Sequence, residues 1–510
     1  ISKEEAIRRV DANSLHQLLH KQIDERKELQ IIATGLPASP GAAVGKICFS
    51  ADEAAERGSE EKIILVREET TPDDIHGVVK SQGVLTSRGG LTSHAAVVSR
   101  GLGIPCIVGC SNIRIDEENE EMRVGNMTFK AGDVITIDGS TGRVIKGEAK
   151  LIDVTIIEEL ELLLSWADEI RKMKVYANAD LPKDVQKAME LGAEGIGLCR
   201  TEHMFLHPLR LPIVRKIIVE GGKGKDIYKQ LLEMQKKDFL EIFKVLKDKP
   251  IVIRLLDAPM HEFLPNYEEL MKKKIRRKIR EEEKRLLEIV KKMRETNPML
   301  GYRGARVAIL MPEIYRMQAR AIMEAAIEAK EEGCDVKPYI EIPIVSEVNE
   351  IKEVKKQIID EIEKVFYEKG RKVEYKIGAM IELPRACLTA DEIAKEIDFM
   401  SFGTNDLTQT TFGFSRDDAE EKFLRYYVEN GILREDPFAV LDEKGVGMLM
   451  KIAVEKARSI KKDMEIGICG EHGGEPKSIR FCHSIGLDVV SCSPYRVVIA
   501  RLASAQAVLE

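Results

Sequence analysis

The segment Gly89–Pro105, G-G-L-T-S-H-A-A-V-V-S-R-G-L-G-I-P, places one histidine, His94, in the first turn of a short helix entered through a double glycine. A neutral imidazole, with an ordinary pKa of about 6.5, offers a lone pair at physiological pH and can attack phosphorus without a separate base. Gly89 and Gly90 let the backbone come close to an incoming group. Thr92 or Ser93 can cap the helix, whose free N–H groups and positive dipole end favour an anion. Gly101, Gly103 and Pro105 stop the helix after about three turns. The pattern is that of a phosphate carrier. The plainer alternative is a capping or solvated histidine.

A second set of chemistry-bearing residues closes a series of apolar runs. Arg200 ends G-I-G-L-C-R, Arg254 lies within I-V-I-R-L-L-D ahead of Asp257, and Arg303 follows M-L-G-Y, with Arg306 one turn on. Glu382 lies at the end of I-G-A-M-I-E-L, Asn405 and Asp406 end F-M-S-F-G-T-N-D, and Cys469 leads into G-E-H-G-G. Three guanidinium forks suit bidentate contacts to phosphate or carboxylate. Two carboxylates, Glu382 and Asp406, can hold one Mg2+ while leaving positions for substrate oxygens. A thiol of ordinary pKa about 8.5 can give a proton to a carbanion-like centre, which is the role open to Cys469. His261 reads as a structural hydrogen-bonder near the rim. Ion pairing of Arg200 with Glu202, or of Arg254 with Asp257, explains any one pair. It does not explain so many charges at strand ends, where burial is costly unless charge is paired or used.

The elements that position these residues alternate strand and helix from Lys172 onward. Strands are expected over 175–180, 195–200, 251–257, 299–304, 339–345, 377–383, 399–406 and 465–471, with a helical insertion over 205–247. Eight parallel strands interleaved with helices predict an α/β fold, a (β/α)8 TIM barrel whose active site lies at the carboxyl ends of the strands. Ahead of it, short apolar runs (46–49, 62–66, 83–86, 106–109) and a closing hairpin over 133–144 form a small α/β unit that carries His94. Residues 2–30 read as helix, with Leu15, Leu18, Leu19 and Ile23 at helical spacing, and 157–172 reads as an acidic linker helix. The resulting division is a helical lead-in (1–35), a small α/β domain (36–147), a linker helix (148–172) and a barrel (173–510).

Composition sets the outer limits. A chain of 510 residues is too long for one core. It is 44% hydrophobic without an apolar run of membrane length, and its net charge of -7 argues against a broadly basic nucleic-acid surface. The basic run Lys272–Arg285 is interleaved with glutamates and reads as a solvated helix face. Nine cysteines without C-x-x-C pairing point to a reducing, cytoplasmic setting and away from zinc. The opening Ile1-Ser2-Lys3, without an initiator methionine, suggests a fragment or a processed product.

The long signatures G-G-L-T-S-H-A-A-V-V-S-R-G-L-G-I-P-C, G-I-G-L-C-R-T-E-H-M-F, N-P-M-L-G-Y-R-G-A-R, M-I-E-L-P-R-A, D-F-M-S-F-G-T-N-D-L-T-Q-T-T-F-G-F-S-R-D-D and G-I-C-G-E-H-G-G-E-P occur in one order along the chain. In this the chain resembles the phosphoenolpyruvate-utilising enzymes, over essentially its whole length. The resemblance implies that His94 is the phosphorylated residue of a swivelling domain, with hinges near 30–40 and 146–165. It implies that Arg200, Arg254 and Arg303 grip phosphoenolpyruvate, that Glu382 and Asp406 bind Mg2+, and that Gly403, Thr404 and Asn405 orient the substrate. Cys469 would exchange a proton with the pyruvate methyl carbon. Homodimeric pairing follows from the same likeness. The stretch around His94 and the C-G-E-H-G-G-E-P loop favour members that use phosphate over those that use water or a carrier protein. An upstream ATP-binding domain is expected in such members, and the first 20 residues resemble its tail; ATP, AMP and phosphate would enter only through it. The chain is therefore expected to carry out the phosphoenolpyruvate–pyruvate half-reaction. Ala258 departs from the family's proline-rich loop, and Thr92 is read as a capping residue. A module that senses phosphoenolpyruvate without turnover is the alternative from another class.

Overall fold

Strands that are buried on both faces read as unbroken apolar runs, and the small unit is built around three of them. In the computed structural model these are Ile63–Arg67, Gly83–Thr86 and Cys106–Val108, which pair in parallel. The structure describes residues 1–510 except 20, 25, 27–28, 59, 72–73, 91–92, 118, 153–157, 208, 221–223 and 277–278. The chain forms two compact units, one of residues 13–162 and one of residues 1–12 with 163–510.

In the unit of residues 13–162, an eight-stranded sheet runs in the order Ile31–Thr34, Arg143–Lys146, Val134–Asp138, Ala42–Cys48, Ile63–Arg67, Gly83–Thr86, Cys106–Val108, Leu36–Ser39. The period of two along each strand sends alternate side chains into two cores. Ile64, Val66, Leu85, Ile107, Ile135 and Ile137 face one side. Ile63, Leu65, Val84, Cys106 and Val108 face the other, where Ala95 and Ala96 of the helix His94–Leu102 pack on them. The two alanines after His94 thus seat the helix closely and fix where its first residue stands. Gly103, at φ +67°, ends the helix in the left-handed conformation that glycine favours. The closing hairpin is present as Val134–Asp138 paired antiparallel with Arg143–Lys146. A three-stranded sheet over 113–130 was not foreseen.

The helix expected over 2–30 is shorter. Ser2 caps Lys3–Arg9, a 3-10 turn follows at Ala12–Leu19, and Gln22–Ile23 is a strand paired with Leu151–Ile152. Asp11, Asn13 and Ser14 are residue types whose side chains compete with helical hydrogen bonds.

The other unit is a closed parallel barrel of eight strands: Lys174–Asn178, Ile196–Arg200, Pro250–Arg254, Lys337–Ile342, Lys376–Ile381, Phe399–Gly403, Glu465–Cys469 and Val489–Cys492. The stretch 299–304 is no strand: Pro298–Leu300 is a 3-10 turn, and Gly304, at φ +55°, breaks an extended path. The eighth strand is instead Val489–Cys492, which closes the barrel on Lys174–Asn178. The insertion after the second strand is helical as expected, with Leu211–Val219 and Lys225–Leu246. Among the described residues, no helix is long and apolar enough to cross a membrane.

Candidate active site

The carboxyl ends of the barrel strands open into a cleft of about 650 Å³ lined by Arg200, Arg254, Arg303, Glu382, Gly403, Thr404, Asn405, Asp406 and Cys469. The sequence-derived set therefore lies together, by a partly different route. Arg200 and Arg254 end neighbouring strands and are paired in register. Arg303 comes from the loop before the helix Ala305–Leu310, not from a strand, and Asp257 lies beyond its strand. Thr404, Asn405 and Asp406 open the helix Thr404–Phe412.

Charge in the cleft is dense and only partly paired. Arg303 is buried, donates from Nε to Asp257 Oδ1 at 3.0 Å and from Nη1 to Asp406 Oδ1 at 3.0 Å, and pairs through Nη2 with Asp257 Oδ2. Burial works against its charge, but Asp257 and Asp406 outweigh it and hold the guanidinium more firmly protonated than usual. Arg254 lies 3.4 Å from Glu202 and 3.5 Å from Asp257, too long for tight pairs, and its buried Nε has no partner among the described residues. A buried donor without a partner costs about 1–3 kcal/mol, and an incoming phosphate or carboxylate would repay it. Arg200 is held by Asp180, which accepts from its backbone N at 2.7 Å and from its Nε at 3.2 Å.

Glu382 is fully buried. Its Oε1 accepts from Ile344 N at 2.6 Å, while its Oε2 is buried without a partner among the described residues. Burial, together with Asp406 and Asp257, pushes this carboxyl well above the usual range, and burial also raises Asp406. Gly403 keeps the space beside the orphaned oxygen clear, since a Cβ there would stand 2.5 Å from Glu382 Oε2. Two crowded carboxylates, an unpartnered oxygen and a space reserved beside it fit a hard divalent cation. Among the described residues, no group of three or more His, Cys, Asp or Glu could hold a metal ion.

Cys469 packs against Leu198 and Met380 in a small apolar cluster. Burial, reinforced by Glu341, pushes its thiol well above the ordinary value, so the neutral form, which carries a proton, prevails. Glu341 is itself fully buried in the barrel interior and accepts from Ser401 Oγ at 2.5 Å; burial raises its pKa to about 7.

The loop after Cys469 lines the cleft as its glycines suggest, and it adds partnerships that residue types do not name. His472 Nε2 donates to the carbonyl of Pro437 at 3.0 Å, which leaves Nδ1 to accept from Thr404 Oγ1 at 2.7 Å. It thereby braces the helix start that presents Asn405 and Asp406. Arg416 donates to Asn405 Oδ1 at 3.1 Å and to Glu471 at 3.0 Å, and it lies over the Phe438 ring. The basic–acidic mixture in S-R-D-D was the available signal, but it named no partner. His261 stands 3.8 Å from Glu295 and does not line the cleft.

His94 is the first residue of its helix and is half-buried. Its Nδ1 lies 3.2 Å from Thr70 Oγ1. When that hydroxyl accepts from Nδ1–H, the lone pair is on Nε2, the atom left for nucleophilic attack. Burial lowers the pKa of His94, partly offset by Asp74, so the neutral imidazole prevails at physiological pH. Asp74 is held by Thr71 N at 2.8 Å and by Arg67 at 3.5 Å. Gly90 would leave an added Cβ in open space, consistent with an approachable backbone. Among the described residues Ser93 Oγ is buried without a partner and makes no cap, and Thr92 lies outside the described residues.

Comparison with known proteins gives two family matches. Residues 156–509 match the PEP-binding domain of PEP-utilising enzymes, and residues 59–142 match their mobile domain. The chain is 51% identical to a pyruvate, phosphate dikinase of Rhizobium meliloti, with 100% of this chain aligned to 57% of that protein. It is 50% identical to the dikinase of Clostridium symbiosum (100% of this chain, 59% of the relative) and 48% identical to that of Entamoeba histolytica (99% and 58%). The chain thus spans less than two thirds of the length of these relatives.

Proposed function

The chain belongs to the PEP-utilising enzymes, and from that premise we propose that it transfers the phosphoryl group of phosphoenolpyruvate to His94 and releases pyruvate, reversibly. The observation that carries this reading is the convergence, in one cleft, of three guanidinium groups, two crowded carboxylates and a neutral thiol.

Arg254, with its unpartnered Nε, and Arg200 and Arg303 bind the phosphate and carboxylate of the substrate and neutralise charge as the phosphoryl group departs. His94 Nε2 attacks phosphorus: the N–P bond forms, the bridging P–O bond breaks, and its electron pair becomes the enolate of pyruvate. Cys469 gives its proton to C3 of that enolate, and the thiolate so formed is reprotonated from water or, in reverse, takes the methyl proton. Gly403, Thr404 and Asn405 orient the substrate, braced by His472. Glu382 and Asp406 would hold Mg2+, which when bound supplies Lewis-acid stabilisation of the enolate oxygen. The matched relatives are dikinases that also use phosphate, as their name states, and the complete conversion of pyruvate, ATP and phosphate belongs to this proposal only through a nucleotide-binding partner domain. The cytoplasmic setting rests on nine cysteines that form no disulfide among the described residues, and homodimeric pairing rests on the family resemblance.

The test is pyruvate release from phosphoenolpyruvate without nucleotide. Release that requires Mg2+ and is lost in Glu382→Gln supports the proposal. Binding of phosphoenolpyruvate without release would support the sensor alternative and sink the enzymatic reading.

A further inference from the structure

At the edge of the cleft, the first two barrel strands bring together a histidine–carboxylate pair that the mechanism above does not use. Asp180 follows the strand Lys174–Asn178 and is buried. It accepts from His203 Nδ1 at 2.7 Å with one oxygen and from the Arg200 backbone N at 2.7 Å with the other. Its Oδ2 also accepts from Arg200 Nε at 3.2 Å. Burial pushes the Asp180 carboxyl up, but His203 and Arg200 outweigh it and keep it ionised. Arg200 and His203 both line the cleft, and the His203 side chain is 54% exposed there.

Because a carboxylate can only accept, Nδ1 carries a proton, and Nε2 is the imidazole atom free to engage a ligand. Among the described residues no partner occupies it. One buried carboxylate therefore aims two donors, the Arg200 fork and the His203 ring, from adjacent positions on one wall. A non-bridging phosphate oxygen can only accept, so Nε2 engages one only when it also carries a proton.

We propose that His203 is a proton-linked ligand of the substrate phosphate: its imidazolium Nε2–H donates to a non-bridging oxygen of a phosphate monoester dianion held by Arg200. Asp180 is the positioning residue for both. The inference rests on the phosphoenolpyruvate reading of this cleft and adds a discriminating element, since pyruvate has no phosphate to engage it. The charged groups facing His203 are Asp180, Arg200 and Asp184, the last of which senses the imidazolium charge.

The experiment is calorimetric binding of phosphoenolpyruvate and of pyruvate, with Mg2+, to the full chain carrying His94→Ala to prevent turnover, with His203 intact (wild type at that position) or replaced as His203→Ala or His203→Gln, from about pH 6 to 9, the range in which imidazoles commonly change charge. Taking the affinity ratio of wild type to variant at each pH cancels the ionisation of the ligand itself. One charge-assisted hydrogen bond predicts about a tenfold preference of wild type over His203→Ala for phosphoenolpyruvate at the acid end. That preference should shrink toward unity as pH rises, with pyruvate affinity unchanged throughout. His203→Gln, which keeps a neutral donor, should show a smaller preference without pH dependence. A loss in His203→Ala that is constant with pH would mean that His203 acts only by holding Asp180 and Arg200, and would overturn the proposal, as would unchanged affinity. Failure of the chain with His203 intact to bind phosphoenolpyruvate at all would overturn the functional reading of the cleft as well.

Discussion

Gly403→Ala isolates the proposed cation site from the rest of the fold. Gly403 has φ -91° and ψ 81°, which alanine adopts without left-handed strain, so the only new feature is one methyl group. That methyl would stand 2.5 Å from Glu382 Oε2, 2.8 Å from Met380 Sδ and 3.0 Å from Glu382 Cβ. An ordinary carbon–oxygen contact needs roughly 3.2 Å or more, so the carboxylate must retreat by at least about 0.7 Å or the loop must shift. Overpacking of this kind costs about 1–3 kcal/mol in stability, which leaves the chain folded. A misplacement of about 1 Å at a reacting centre costs on the order of 10²-fold in rate. The variant should therefore melt cooperatively, a few degrees lower, while nucleotide-independent pyruvate release falls by about two orders of magnitude and more Mg2+ is needed for half-maximal rate. An unchanged rate and Mg2+ requirement in a folded variant would refute the assignment of the Glu382 oxygen to the cation.

Thr70→Val keeps the side-chain volume but removes the partner of His94 Nδ1, so phosphohistidine formation should slow about tenfold, measured by rapid quench. Loss of the proton donor in Cys469→Ala should slow exchange of the pyruvate methyl hydrogens with solvent deuterium by about 10²–10⁴-fold, measured by NMR, while phosphoenolpyruvate still binds. Burial lowers the His472 pKa from 6.5 to about 4, so the unfolded chain binds this proton more tightly. Its contribution of roughly 3 kcal/mol is fully present above about pH 6.5 and is lost as pH falls toward 4. Between pH 7.5 and 4.5, wild type should therefore lose more thermal stability than His472→Gln, and equal losses would contradict the buried neutral imidazole.

Legibility tracked the strength of the local signal. Runs such as I-V-I-R and F-M-S-F-G announce buried parallel strands, and the double glycine, histidine and two alanines announce the helix that begins at His94. The stretch M-L-G-Y-R-G has the apolar content of a strand, but Pro298 starts a turn and Gly304 reverses the backbone. Val489–Cys492 has only four residues before Ser493 and Pro494, too short to stand out as a strand, although the barrel cannot close without it. The strand-end rule still located the charged residues correctly, because a loop can deliver Arg303 to the same rim. Partnerships were the least legible. Thr70 is 24 residues from His94, and Thr404 is 68 from His472. Each pairing exists only once strands distant in sequence are adjacent. The orphaned atoms of Arg254 and Glu382, which say most about the ligand, follow from packing rather than from residue type.

The most direct measurement mixes the full chain with phosphoenolpyruvate and Mg2+, without nucleotide, and counts pyruvate released against acid-labile phosphate on the protein, located by mass spectrometry. The account predicts a single stoichiometric burst with one phosphate on His94 per pyruvate, and no burst in His94→Ala, which should still bind phosphoenolpyruvate. Phosphate on another residue, or a burst that survives in His94→Ala, would contradict it.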